Sequence, residues 1–150
     1  MNVADMPGMH FLDTNILVYS FDRTAPAKQE MARDLIRNAL KTQRGIISSQ
    51  IVQEFLNVAL WKFARPMNVS EARQYMNAVL MPLCQHYPSL AFYDLTLLIK
   101  EETGYSFYDS LVVTAAIESG CHTLVSEDMQ SGRTIRGVTI LDPFVLPARK

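Results

Sequence analysis

Four acidic residues, Asp13, Glu54, Asp109 and Asp128, are the side chains here whose type and placement could carry chemistry. Each stands where an apolar run breaks or begins. Met9-His10-Phe11-Leu12 gives way to Asp13-Thr14-Asn15, Gly45-Ile46-Ile47-Ser48-Ser49 is followed by Glu54, and Cys121 to Ser126 runs into Glu127-Asp128. Asp109 opens a stretch with Leu111, Val112, Ala115, Ala116 and Ile117 at helical spacing. Brought together, ionised carboxylates repel: two like charges about 4 Å apart cost about 4 kcal/mol at an effective dielectric of 20. A divalent cation removes that cost, and oxygen-only donors suit magnesium or manganese better than zinc. Such a centre supports phosphodiester hydrolysis, because bound metal can hold the phosphate, lower the pKa of a water and stabilise charge on the departing oxygen. No Ser/His or Cys/His arrangement competes as a covalent nucleophile.

Taken singly, these residues have plainer uses. Asp13 and Asp109 would serve as helix N-caps, Glu54 as a helix-dipole or surface carboxylate, and Asp128 as a turn residue. Only a shared location separates the two readings, so the elements that position the acids decide the matter.

Those elements alternate. Met9 to Leu12 reads as a buried strand, Ala27 to Arg44 as a surface helix closed by Gly45, and Gly45 to Ser49 as a second strand. Helices are expected from Gln50 to Ala64 and from Ser70 to about His86, a strand around Leu90 to Tyr93, and a helix from Leu95 to about Glu102. The helix beginning at Asp109 ends at Gly120, and strands follow at Cys121 to Ser126 and Val138 to Leu141. Alternation of this kind implies a mostly parallel sheet of four to five strands with helices on both faces, whose ligand cleft opens at the carboxyl ends of the strands. Asp13, Glu54 and Asp128 all fall at that edge, and a helix N-terminus at Asp109 commonly faces it.

At 150 residues and 49% hydrophobic composition, the chain suits one domain with one core. Nothing in it reads as a secretory signal or a membrane span, which implies a soluble, cytoplasmic protein. Fourteen basic and fifteen acidic residues give a net charge of -1, so no overall positive field draws nucleic acid. Cations at clustered carboxylates would reverse the local sign. Cys84 and Cys121 read as buried thiols, and His10, His86 and His122 stand singly as structural or surface residues. The helix Gln50 to Ala64 is apolar beyond one stripe, which suits a central helix or a face that meets a partner. Arg133 and Arg136, just after Asp128, could clamp an RNA phosphate, although exposed loop arginines are usually only solvated.

The motifs also carry a resemblance. Phe11-Leu12-Asp13-Thr14-Asn15-Ile16-Leu17-Val18-Tyr19 resembles the opening of PIN-domain ribonucleases, in particular the VapC-type toxins of toxin–antitoxin pairs. Ile47 to Phe55 is similar to their second acidic motif, Tyr108-Asp109-Ser110-Leu111-Val112 to their third, and Leu124-Val125-Ser126-Glu127-Asp128-Met129-Gln130 to their fourth. The likeness spans about Met9 to Pro143, with residues 1–8 as a flexible extension. It implies a PIN-like three-layer α/β/α fold, a magnesium- or manganese-dependent endoribonuclease, homodimerisation and a small antitoxin partner. Carried over, it makes Asp13, Glu54, Asp109 and Asp128 the metal-site acids and Thr14, Asn15 and Ser126 supporting groups. Tyr108 stands where a Trp often precedes the third acid, and Glu127 beside Asp128 leaves two carboxylates for one role. Two other functions fit less well. A haloacid-dehalogenase-type phosphatase would usually have a second Asp where Asn15 stands, and a non-catalytic PIN-like module that binds RNA or protein has no need of four repelling acids.

Overall fold

The computed structural model describes residues 6–145. Its first strand, β1 (His10–Leu12), is buried throughout and leads into a short helix, α1 (Thr14–Tyr19). Helix α2 (Pro26–Thr42) starts at a proline, whose missing N–H costs nothing in a first turn, and buries Ala32, Leu35, Ile36 and Ala39. It ends at Gln43 in the left-handed conformation, not at Gly45. Gly45 instead opens strand β2 (Gly45–Ser48) because nothing larger fits: a Cβ there would lie 2.3 Å from that of Ala39.

Helix α3 (Ser49–Trp61) follows without a loop and buries Ile51, Phe55 and Ala59. Its exposed end carries Leu60 and Trp61, so the breadth of its apolar surface is not wholly used within the monomer. The expected helix from Ser70 to His86 is continuous from Val69 to Leu83 but changes its winding midway and stops three residues early. Helix α4 (Val69–Tyr75), capped by a reciprocal Asn68–Glu71 box, passes into a π-helical stretch (Met76–Leu80) and a last turn, α5 (Met81–Leu83). The chain then becomes strand β3 (Cys84–His86), too short to show alternation.

The expected strand at Leu90 to Tyr93 is the first turn of helix α6 (Leu90–Thr103). Ser89 caps it, its hydroxyl accepting from the Phe92 N–H at 3.1 Å, and Phe92, Thr96 and Ile99 form the buried stripe. A four-residue apolar run fits either element, and the cap decides for helix. Helix α7 (Phe107–Glu118) is buried along most of its length and precedes strand β4 (Thr123–Val125). A hairpin of β5 (Thr134–Ile135) and β6 (Val138–Leu141) completes the sheet. Its two-residue turn, Arg136-Gly137, has φ of 46° and 85°, the twist that suits a tight hairpin.

The sheet therefore has six strands, not four to five, in the order β3-β2-β1-β4-β6-β5, all parallel except the β5 edge. Helices α6 and α7 pack on one another with α7 on β4 and β6, while α1 packs on α2 and α3, and α2 and α5 lie on β2. Of the expected extension, residues 1–5 lie outside the described residues, while Met6 is buried in the core and Gly8 lies against the His122 ring. No helix among the described residues is long and apolar enough to cross a membrane. Cys121 is buried, and Cys84 is only partly so.

Candidate active site

Strand register carries the acids to one edge. Leu12 pairs with Val125, and Val125 with Leu141, so Asp13 and Ser126 leave their strands side by side. The ladder runs one step further: the Asp13 N–H donates to Val125 O at 3.0 Å and the Ser126 N–H to Leu141 O at 3.0 Å. Asp13 caps α1, one carboxylate oxygen accepting from the Thr14 N–H at 2.7 Å, while the other accepts from the Ser126 hydroxyl at 2.7 Å. Its residue is 8% exposed. Burial pushes the Asp13 pKa up to about 6, partly offset by the hydrogen bonds from Ser126 and Thr14 and reinforced by the charges of Glu54 and Asp128.

Glu54 reaches the same place from α3. One of its oxygens accepts from the Thr14 hydroxyl at 2.6 Å, and the other from the Gln50 side-chain amide at 2.7 Å. Asp128 accepts from the Asn15 amide at 2.9 Å, and its own N–H donates to the Ser126 hydroxyl at 3.3 Å. The supporting trio thus divides its work: Thr14 joins Asp13 to Glu54, Ser126 joins Asp13 to Asp128, and Asn15 orients Asp128.

Asp109 is placed differently from expectation. Ser106 caps α7, so Asp109 lies within the first turn, its N–H donating to the Ser106 hydroxyl at 3.1 Å. Its carboxylate accepts no hydrogen bond from a described residue. The link to the other acids is Gln50, whose amide donates to Glu54 and, at 3.4 Å, to the Tyr108 carbonyl. Glu127 points elsewhere, accepting from Lys28 Nζ at 2.7 Å and from the Tyr19 hydroxyl at 2.7 Å. Burial raises its pKa, but the Lys28 and Tyr19 hydrogen bonds outweigh that and hold it below the usual carboxylate value.

Arg133 and Arg136 are also engaged. Arg133 donates to Thr103 O and to Gln130 at 3.3 and 3.0 Å and stacks over Tyr105, and Arg136 pairs with Glu102. Both are tied to the C-terminal end of α6 and neither contacts the acids.

The donor chemistry suits a hard divalent cation. All the acids present oxygen, and among the described residues no Lys or Arg pairs with Asp13, Glu54, Asp109 or Asp128. As they stand, the described residues include no group of three Asp, Glu, His or Cys side chains placed to hold an ion.

Gln50, Lys28 and Tyr19 were not singled out from sequence. Gln50 had a local signal, lying four residues before Glu54 on one helix face. Lys28 and Glu127 had none, being 99 residues apart.

No family model and no curated protein matches the chain. Solved structures do. A toxin–antitoxin complex from Klebsiella pneumoniae aligns at a TM-score of 0.63 and 18% identity, over 91% of this chain and 99% of that one. VapBC2 from Rickettsia felis, bound to a DNA fragment from its promoter, aligns at 0.59 and 18% identity, over 88% and 96%. VapC20 of Mycobacterium tuberculosis, a Sarcin-Ricin loop cleaving toxin, aligns at 0.55 and 16% identity, over 79% and 89%. At these identities the likeness is one of fold, and the fold is PIN-like.

Proposed function

We propose that this chain is a metal-dependent endoribonuclease and the toxin of a toxin–antitoxin pair, with Asp13, Glu54, Asp109 and Asp128 as the metal-site acids. The observation that carries the reading is the treatment of charge at the sheet edge: Asp13, Glu54 and Asp128 are held by hydroxyl and amide donors alone, with no cation. A protein that needed these carboxylates only for structure would gain by neutralising them. The likeness in fold to a toxin–antitoxin complex and, separately, to a Sarcin-Ricin loop cleaving toxin supports the assignment to RNA and to an antitoxin partner.

When bound, magnesium or manganese would supply a Lewis acid for the phosphate and an activated water. The chain supplies position. Ser126 and the Thr14 N–H fix both oxygens of Asp13, Thr14 and Gln50 fix those of Glu54, and Asn15 turns Asp128 toward the same edge. Asp13, with both oxygens accepting hydrogen bonds and Asn15 two residues on, has neither the freedom nor the acidic partner that a phosphatase nucleophile uses. The exposed Leu60 and Trp61 of α3, and Leu90 and Leu97 of α6, are surfaces on which a second copy and an antitoxin segment would be buried, in a cytoplasmic complex.

The test is cleavage of a labelled RNA panel by the wild type and by Asp13→Asn in magnesium, manganese and chelator, with folding of both checked. Internal cleavage by the wild type with metal, absent from the variant and in chelator, is expected. A folded wild type that neither cuts nor binds manganese would overturn the reading in favour of a non-catalytic module.

A further inference from the structure

Beside the acids lies a second cavity, of about 260 Å³, between the start of α3, the start of α7 and α6. It touches the acidic site through one side chain: Gln50 lines it and donates to Glu54 at 2.7 Å and to the Tyr108 carbonyl at 3.4 Å. Tyr108 also lines it and directly precedes Asp109. A group seated here is thus within a residue of two of the acids.

The lining has a definite chemistry. Tyr108 and Tyr93 are 67% and 40% exposed, and the Tyr108 ring is held edge to face on Phe107 with centroids 5.7 Å apart. No Lys, Arg, Asp or Glu lines the cavity; its polar groups are hydroxyls, amides and the His86 ring, which is already bonded to Glu118. Ser48 adds an independent sign. It is the N-cap residue of α3, yet its hydroxyl makes no cap bond and, although the residue is only 2% exposed, has no partner among the described residues. A buried hydroxyl without a protein partner is costly, and in a cavity wall it is satisfied by water or by a ligand that displaces the water. The volume falls below the roughly 300–1,000 Å³ of pockets that enclose drug-sized molecules, which suits one planar ring system.

We propose that this cavity is a nucleobase site, in which one unpaired base of an RNA strand stacks on Tyr108 while the Ser48 hydroxyl and the Gln53 amide meet its hydrogen-bonding edge. The proposal rests on the ribonuclease reading and deepens it. The neutral, aromatic wall takes the base, and the adjoining acids, once they hold cations, take the phosphate. Stacking on an aromatic face is the means by which single strands are held, and edge contacts supply choice among bases. The acids explain cutting, and this cavity would explain where the cut falls.

The experiment measures binding of short labelled RNA homopolymers, one for each base, in chelator, and then the cleavage pattern on mixed-sequence RNA in manganese. Wild type, Tyr108→Ala, Tyr108→Phe and Gln53→Ala are compared; both positions are exposed, so folding should survive. Tyr108→Ala is expected to weaken binding of the preferred homopolymer about 5- to 140-fold, the equivalent of the ~1–3 kcal/mol that stacking one base supplies. Tyr108→Phe should bind within about twofold of wild type, because the stacking face remains. Gln53→Ala should alter the order of preference among homopolymers and the bases flanking the cut.

Unchanged binding and cleavage pattern in Tyr108→Ala and Gln53→Ala, with a wild type that cuts, would overturn the base site and leave the ribonuclease reading intact. Tyr108-dependent binding by a wild type that cuts with no metal would do the reverse. A wild type that binds no RNA sinks both. If Tyr108→Ala instead changes the sedimentation of the free protein, the cavity is an interface between copies and the proposal fails.

Discussion

Glu127 and Asp128 are neighbours at the end of β4, and the protein treats them oppositely. Glu127 is neutralised by Lys28, which also lies 4.8 Å over the Tyr19 ring, and it receives a second bond from the Tyr19 hydroxyl. Among the described residues, Asp128 receives only the Asn15 amide. Among the described residues Asp34 and Glu102 likewise pair with Arg37 and Arg136, while Asp13, Glu54 and Asp128 meet only neutral donors. Glu127, Asp34 and Glu102 are each given a partner of opposite charge. Under the proposed function, Asp13, Glu54 and Asp128 are oriented by neutral donors and left for a bound cation to neutralise.

The largest expected consequence lies at Asp13. Its pKa is raised from 3.8 to about 6, so the stability tied to its protonated form is fully present below pH 3.8 and is lost as pH rises through about 6. In chelator, Asp13→Asn should therefore gain on wild type by about 2 kcal/mol between pH 4 and pH 7.5, the hydrogen bonds that the amide gives up being a constant offset at both. Thermal melts at the two pH values check this. Saturating manganese should reverse the order, stabilising only the wild type. A gap between the two proteins that does not change with pH would mean that Asp13 carries no uncompensated charge.

A smaller effect is expected when the neutralised acid is made to resemble its neighbour. Lys28→Met leaves Glu127 without its cation, but the pair is partly exposed, so the loss should stay under about 1 kcal/mol in urea unfolding. Adding Glu127→Gln to Lys28→Met should restore most of it, since the two changes share one interaction. Full additivity would count against the pairing. The smallest effect belongs to Arg136→Ala, whose partner Glu102 is about as exposed as Arg136 itself. Its thermal melt should overlay that of wild type, and RNA cleavage should not change. Weaker RNA binding with a shallower salt dependence would instead give Arg136 a phosphate.

What could be read along the chain was local or periodic. β1, β2, β4 and β6 are short apolar runs bounded by breakers, and the helices α2, α3 and α7 show their apolar spacing. The errors arose where a short run fits two elements. Leu90 to Tyr93 lacks the length that separates strand from helix, and Cys84 to His86 has no pattern at all until β2 offers it hydrogen bonds. The β5 strand is two residues long and exists only because the Arg136-Gly137 turn folds it onto β6.

The division at the site has the same origin. Residue types and their position after apolar runs determine that Asp13, Glu54 and Asp128 end at one edge, because a parallel sheet with helical crossovers delivers every strand's carboxyl end to the same side. Which acids receive a basic partner and which a neutral one does not follow from order along the chain. That depends on Lys28 reaching Glu127 across 99 residues, on Asn15 meeting Asp128 across 113, and on Gln50 spanning Glu54 and the Tyr108 carbonyl. Electrostatics falls off with distance in space, and only the folded arrangement of the helices over the sheet sets those distances.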